Sequence, residues 1–102
     1  MDFGHAITGA KAGHRIARPS WHGKGQFVYY VPEARYPPTT SVGRDIARRQ
    51  EDNLVPYRAY LALFTAQGDV ATWQPSSSDS LADDWISYEE DNEDTTSGTR
   101  IG

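Results

Sequence analysis

Apolar positions along the chain change their period several times, and each change marks an element. Phe3, Ala6, Ile7 and Ala10 recur at helical spacing behind Asp2, a residue suited to an N-cap. Gly13 fits a left-handed terminus, so a helix is predicted over about residues 3–12. His14 to Arg18 alternates polar and apolar and reads as a short strand stopped by Pro19. Gln26 to Val31 is aromatic and β-branched, a strand closed by Pro32. Tyr57 to Thr65 is the strongest strand signal. Tyr57, Ala59, Leu61 and Leu63 would lie on one face and Tyr60, Ala62 and Phe64 on the other, both largely apolar and so both expected to be covered. Ala66-Gln67-Gly68-Asp69 then reads as a turn, with Val70 to Trp73 pairing back as a hairpin.

Other stretches carry weaker patterns. Residues 33–56 contain Pro37 and Pro38 and read as irregular, with a short polar helix over Ser41 to Gln50 carrying Arg44, Arg48 and Arg49. Ser76-Ser77-Ser78-Asp79 has the composition of a helix start, followed by one or two turns through Asp84. Leu81 and Ala82 stand at a spacing that packs with Trp85, which is assigned to the core. Trp85 to Tyr88 is a final strand. These elements give an α+β fold: a small antiparallel sheet with an N-terminal helix and short additional helices. A single domain is placed at residues 1–88. Residues 89–102 are acidic, nearly free of large apolar groups, and expected to be disordered.

Composition narrows the function. With 102 residues the chain accommodates one domain, small enough that oligomerisation is a plausible source of added burial. It has no cysteine, which excludes disulfides, thiolate metal sites and a cysteine nucleophile. No apolar run approaches a membrane span, and residues 1–20 lack the apolar core of a signal peptide, so the cytoplasm is the default compartment. The formal charge of −4 conceals a segregation. Residues 1–78 hold nine Lys/Arg against six Asp/Glu, while residues 79–102 hold eight Asp/Glu against one Arg. A mildly basic body is compatible with an anionic ligand. The scattered basic residues and acidic end argue against nucleic acid.

Two motifs carry candidate chemistry. In Arg18-Pro19-Ser20-Trp21-His22-Gly23-Lys24-Gly25, Trp21 can stack on a flat ring while Lys24, Arg18 and the Gly23 and Gly25 amides hold an anion. Equally, Trp21 can be a lid on the core. In the segment from Trp73 to Asp79, Ser76, Ser78 and Asp79 can meet hydroxyls or a base edge, or can simply cap a helix. His5, His14 and His22 lack metal-ligand spacing, and no nucleophile–base pair stands out, so no catalytic residue, metal or cofactor is assigned. Asp83 and Asp84 read as solvated or salt-bridged. The tyrosines at 29, 30, 36, 57, 60 and 88 exceed what one small core can hold, which favours an interface.

Taken in order, Phe3-Gly4-His5-Ala6, Lys11 to Arg18, Trp21-His22-Gly23-Lys24-Gly25 and Ser76 to Trp85 resemble the phage Thoeris anti-defence 2 family. The resemblance runs over about residues 2–86. His22 stands where asparagine is usual, Ser77 and Ser78 replace glutamine and threonine, and Ser80 replaces an apolar residue. The resemblance implies a non-enzymatic sponge that binds cyclic ADP-ribose isomers such as glycocyclic ADP-ribose, made by bacterial TIR enzymes, in the cytoplasm of the infected host. It further implies homotetramers with pockets between subunits, and binding of cyclic dinucleotides by some members. Arg18, Trp21, Gly23, Lys24, Gly25, Trp73, Ser76, Ser78 and Asp79 are the ligand residues under this reading. The alternatives are a hydrolase of cyclic nucleotide signals and a protein-binding inhibitor of a host factor.

Overall fold

A computed structural model describes residues 1–88; the acidic segment 89–102, predicted to be disordered, lies outside the described residues. The described residues form two compact units, residues 1–30 with 61–88, and Val31–Tyr60.

The first unit is built on α1 (Phe3–Lys11), which begins where Asp2 accepts the His5 amide at 2.8 Å. It ends at Gly13, whose φ of +103° is open to glycine and strained for other residues. β1 (Ile16–Ala17) follows, then a 3-10 helix (Pro19–Lys24) that carries the Trp21 motif. Proline at the first position and the left-handed Gly25 at the end bound that turn. β2 (Phe27–Val31) enters the sheet next. After the second unit come β5 (Tyr60–Phe64), β6 (Val70–Trp73), α3 (Ser77–Leu81) and β7 (Ile86–Ser87). The second unit contains β3 (Ala34–Tyr36), α2 (Ser41–Ala47) and β4 (Val55–Tyr57).

The strand order is β6-β5-β2-β1-β7. β1 runs antiparallel to both β2 and β7, with Ile16 opposite Val28 and Ser87. β5 and β6 form the expected hairpin, with Leu61 opposite Trp73 and Phe64 opposite Val70. The helical stripe read from the sequence is the buried one. Ala6 and Ala10 join Ile16, Val28 and Trp85 in the core, and Phe3, Ile7, Leu61 and Leu63 pack against them. Burying these side chains contributes on the order of 1.5–3 kcal/mol for each large one. The opposite parity of the strands carries aromatic rings. Phe27 stacks on Phe64 at 5.1 Å and on Tyr88 at 5.6 Å, with the Arg15 guanidinium 5.0 Å above it.

Three sequence expectations need correction. The strand predicted from Tyr57 begins at Tyr60, and Tyr57 belongs instead to β4, opposite Ala34. Tyr57 and Ala59 therefore do not share a sheet face with Leu61 and Leu63. The segment 33–56 is less irregular than its prolines imply, because β3 and β4 pair across it. Leu81 is 82% exposed, and of the two residues expected to pack with Trp85 only Ala82 meets the core. In the second unit, Thr40 caps α2 by accepting the Gly43 amide at 2.9 Å, and Ala47 and Val55 are its buried residues.

Candidate functional site

The first unit brings the predicted aromatic residues together at the meeting of the 3-10 helix, the end of β6 and the start of β7. The Trp21 ring stands edge-on to Trp85 at 5.4 Å and to Trp73 at 6.1 Å. Trp73 and Trp85 are themselves edge-to-face at 6.0 Å, and Phe3 lies 5.3 Å from Trp85. Each such aromatic pair adds about 0.5–1.5 kcal/mol beyond burial. Trp85 is fully enclosed, while Trp21 and Trp73 are half-buried. Trp21 thus braces its turn against the core and still keeps part of its ring toward solvent. The two roles read from the sequence, stacking platform and lid, are compatible in this geometry.

Beside the rings lies a charged cluster. Arg18 Nε donates to Asp84 at 2.9 Å and Nη1 donates to Asp79 at 3.1 Å. Arg18 and Asp79 are largely enclosed, with side chains 23% and 17% exposed. The guanidinium is held above its ordinary pKa by the Asp84 hydrogen bond first and the Asp79 bond second. Burial pushes the Asp79 carboxyl up, but the Ser76 amide, the Arg18 guanidinium and the Ser76 hydroxyl outweigh it and leave the group below its usual value.

Asp79 also completes a reciprocal cap. Its amide donates to Ser76 Oγ at 3.1 Å, and its carboxylate accepts the Ser76 amide at 3.2 Å. The Trp85 indole N–H donates to the Asp79 carbonyl at 2.9 Å. One residue therefore ties helix start, cation and aromatic cluster together.

Of the residues singled out from the sequence, Arg18, Ser76 and Asp79 share one hydrogen-bonded network, and Trp21 meets Trp73. Gly23 and Gly25 lie in and at the end of the 3-10 turn. Lys24 and Ser78 are exposed, and their side chains make no hydrogen bond or ion pair among the described residues. The sequence offers Arg18 as a holder of an anionic ligand, yet in the fold it is already engaged by two carboxylates. Asp84 is the network member missing from the predicted set, although its salt-bridged character was read correctly. Its partner is 66 residues away, so no local pattern could name it.

The second unit holds a separate feature. Tyr36, Tyr57 and Tyr60, with Pro32, Pro37 and Thr39, line a cavity of about 270 Å³. The Tyr36 and Tyr57 rings meet at 5.8 Å and 53°. Arg35 is paired to Asp52 through Nε at 2.5 Å and Nη2 at 2.8 Å. That hydrogen bond holds the Asp52 carboxyl down at about 2.

No helix among the described residues is long and apolar enough to cross a membrane. Comparison with known proteins finds a match to the model of the Thoeris anti-defense 2-like domain over residues 1–88. The chain is also similar to the protein named Thoeris anti-defense 2 of Bacillus phage SP01. The two are 27% identical over 85 residues, which is 83% of this chain and 91% of that protein.

Proposed function

The chain belongs to the Thoeris anti-defense 2-like family, and on that premise we propose that it is a phage anti-defence protein that sequesters a cyclic ADP-ribose signal without degrading it. The observation that carries this reading is the extent of the family match, which includes every candidate ligand residue. The site geometry supports it. Half-buried Trp21 and Trp73 offer aromatic surface for a purine, worth roughly 1–3 kcal/mol when a base stacks. Exposed Lys24 and the turn ending at Gly25 offer a charge and backbone donors for phosphates. Ser76, Ser78 and Asp79 offer oxygen acceptors for ribose hydroxyls or base edges.

Sequestration requires affinity alone. To outcompete an immune effector, binding falls in the nanomolar range, about −12 kcal/mol. Enclosure between subunits of a homotetramer would slow release, and residence time dominates differences in affinity. The protein acts in this scheme within the cytoplasm of the infected host and uses no cofactor. Cyclic dinucleotides are a second ligand class under the same reading.

The test is depletion followed by recovery. Incubated with glycocyclic ADP-ribose and passed through a filter that retains protein, the chain removes the nucleotide from the filtrate, and heating returns it unchanged. Absence of depletion refutes sequestration. Return of an altered nucleotide identifies a hydrolase.

A further inference from the structure

The cluster of Arg18, Asp79 and Asp84 sets one positive against two negative charges. A group with that balance repels a phosphate more than it attracts one. Both carboxylates reach Arg18 through separate nitrogens, Nε at 2.9 Å and Nη1 at 3.1 Å, so the guanidinium is fixed in plane as well as in place. Arg18 is also the N-cap residue of the 3-10 helix, and its carbonyl accepts the Trp21 amide at 2.9 Å. Fixing Arg18 therefore fixes the start of the turn that carries Trp21 and Lys24. Asp79 is committed to this arrangement by its cap with Ser76. Asp84 is the half-exposed partner, and the Arg18 bond is its tie to the cluster.

We infer that Asp84 is a positioning residue of the ligand site, acting through Arg18 to hold the Trp21 turn. Arg18 is then a tether, and a bound nucleotide directs its hydroxyl groups to this end and its phosphates to the Lys24 end. This assignment rests on the sequestration reading for its ligand and on the described contacts for its mechanism. It separates two cations that the sequence treats alike: Lys24, exposed and without an ion pair among the described residues, and Arg18, neutralised in the fold.

A double-mutant cycle on the full chain tests it. Asp84→Asn, Arg18→Gln and the pair are measured for cyclic ADP-ribose affinity, for the salt dependence of that affinity, and for melting temperature without ligand. Asp84→Asn is expected to weaken binding roughly tenfold in the native background and to change it less than twofold in the Arg18→Gln background, a coupling typical of contacting residues. Salt dependence is expected to stay the same in the Arg18→Gln/Asp84→Asn pair, which leaves the net charge of the cluster unchanged, and to flatten in Lys24→Gln, because screening acts on the charge that meets the phosphates. An Asp84→Asn loss that persists without Arg18 means Asp84 touches the ligand itself and overturns the positioning role. A flattened salt dependence in the Arg18→Gln/Asp84→Asn pair makes Arg18 the phosphate contact and overturns the tether. If the native protein binds neither cyclic ADP-ribose nor its glycocyclic isomer, the sequestration reading falls with the assignment of ligand ends. The ligand-free melting cycle still decides the Asp84–Arg18 tether: coupled losses uphold it and additive losses refute it.

Discussion

Trp21, Trp73 and Trp85 each meet two other indoles edge to face, and Trp85 is 1% exposed. Tyr36, Tyr57 and Tyr60, in the unit spanning Val31–Tyr60, stay 42–53% exposed although Tyr36 and Tyr57 touch. The sheet unit has five strands and α1 to enclose its rings. The second unit has a two-stranded sheet and one seven-residue helix, an assembly with little apolar area of its own. Its fixed points are directional contacts: the Thr40 cap, the Arg35–Asp52 pair and the Arg48–Asp45 pair. Aromatic residues thus hold the first unit together, whereas in the second they are available surface.

The contrast is broken most directly by truncating one ring from each unit. Trp85→Ala removes the largest fully enclosed side chain and the indole donor to Asp79. It is expected to cost about 3–5 kcal/mol in denaturant unfolding. Tyr57→Ala, at a half-exposed ring, is expected to cost under about 1 kcal/mol. Equal losses would show that the second unit's tyrosines are structural. A smaller effect is expected from Ser76→Ala, which removes one half of the reciprocal cap. A loss of about 1 kcal/mol in the same assay is typical of such caps, and the change should also loosen Asp79 from Arg18.

The gentlest probe is pH. Asp52 titrates at about 2 in the folded protein because Arg35 bonds its carboxylate, against an ordinary value of 3.8. A depressed carboxyl stabilises the fold above its unfolded pKa and loses that contribution as pH falls through its folded pKa. The contribution of this pair is therefore complete above about pH 4 and gone below about pH 2. Melting of the native protein and of Asp52→Asn should converge as pH falls through that window. Curves that stay parallel would remove Arg35–Asp52 from the contacts fixing the second unit.

Legibility in the sequence followed the range of the interaction. The first helix was readable because Asp2, the stripe Phe3–Ala6–Ile7–Ala10 and Gly13 all lie within one local pattern. The β5–β6 hairpin was readable for the same reason, its turn and alternation being contiguous. The β3–β4 pairing was not, since Ala34 meets Tyr57 across an intervening helix and the prolines at 37 and 38 signal irregularity. Tyr57 was then credited to the wrong strand because Arg58 and Ala59 interrupt the run without breaking its hydrophobic pattern. Within the candidate site, residue types and the Ser76–Asp79 cap were legible. The commitment of Arg18 to Asp84 was not, for it depends on where β1 and β7 come to lie.

The tryptophan cluster has a practical consequence. The chain contains three tryptophans, and all three sit within one patch of touching rings. Indole fluorescence and the indole bands of the near-ultraviolet circular dichroism therefore arise from a single place, and that place adjoins the candidate ligand residues. Perpendicular indoles in contact exchange excitation, so a change at any one ring alters the shared signal. The molecule carries its own optical reporter, and a titration can be followed with no label attached.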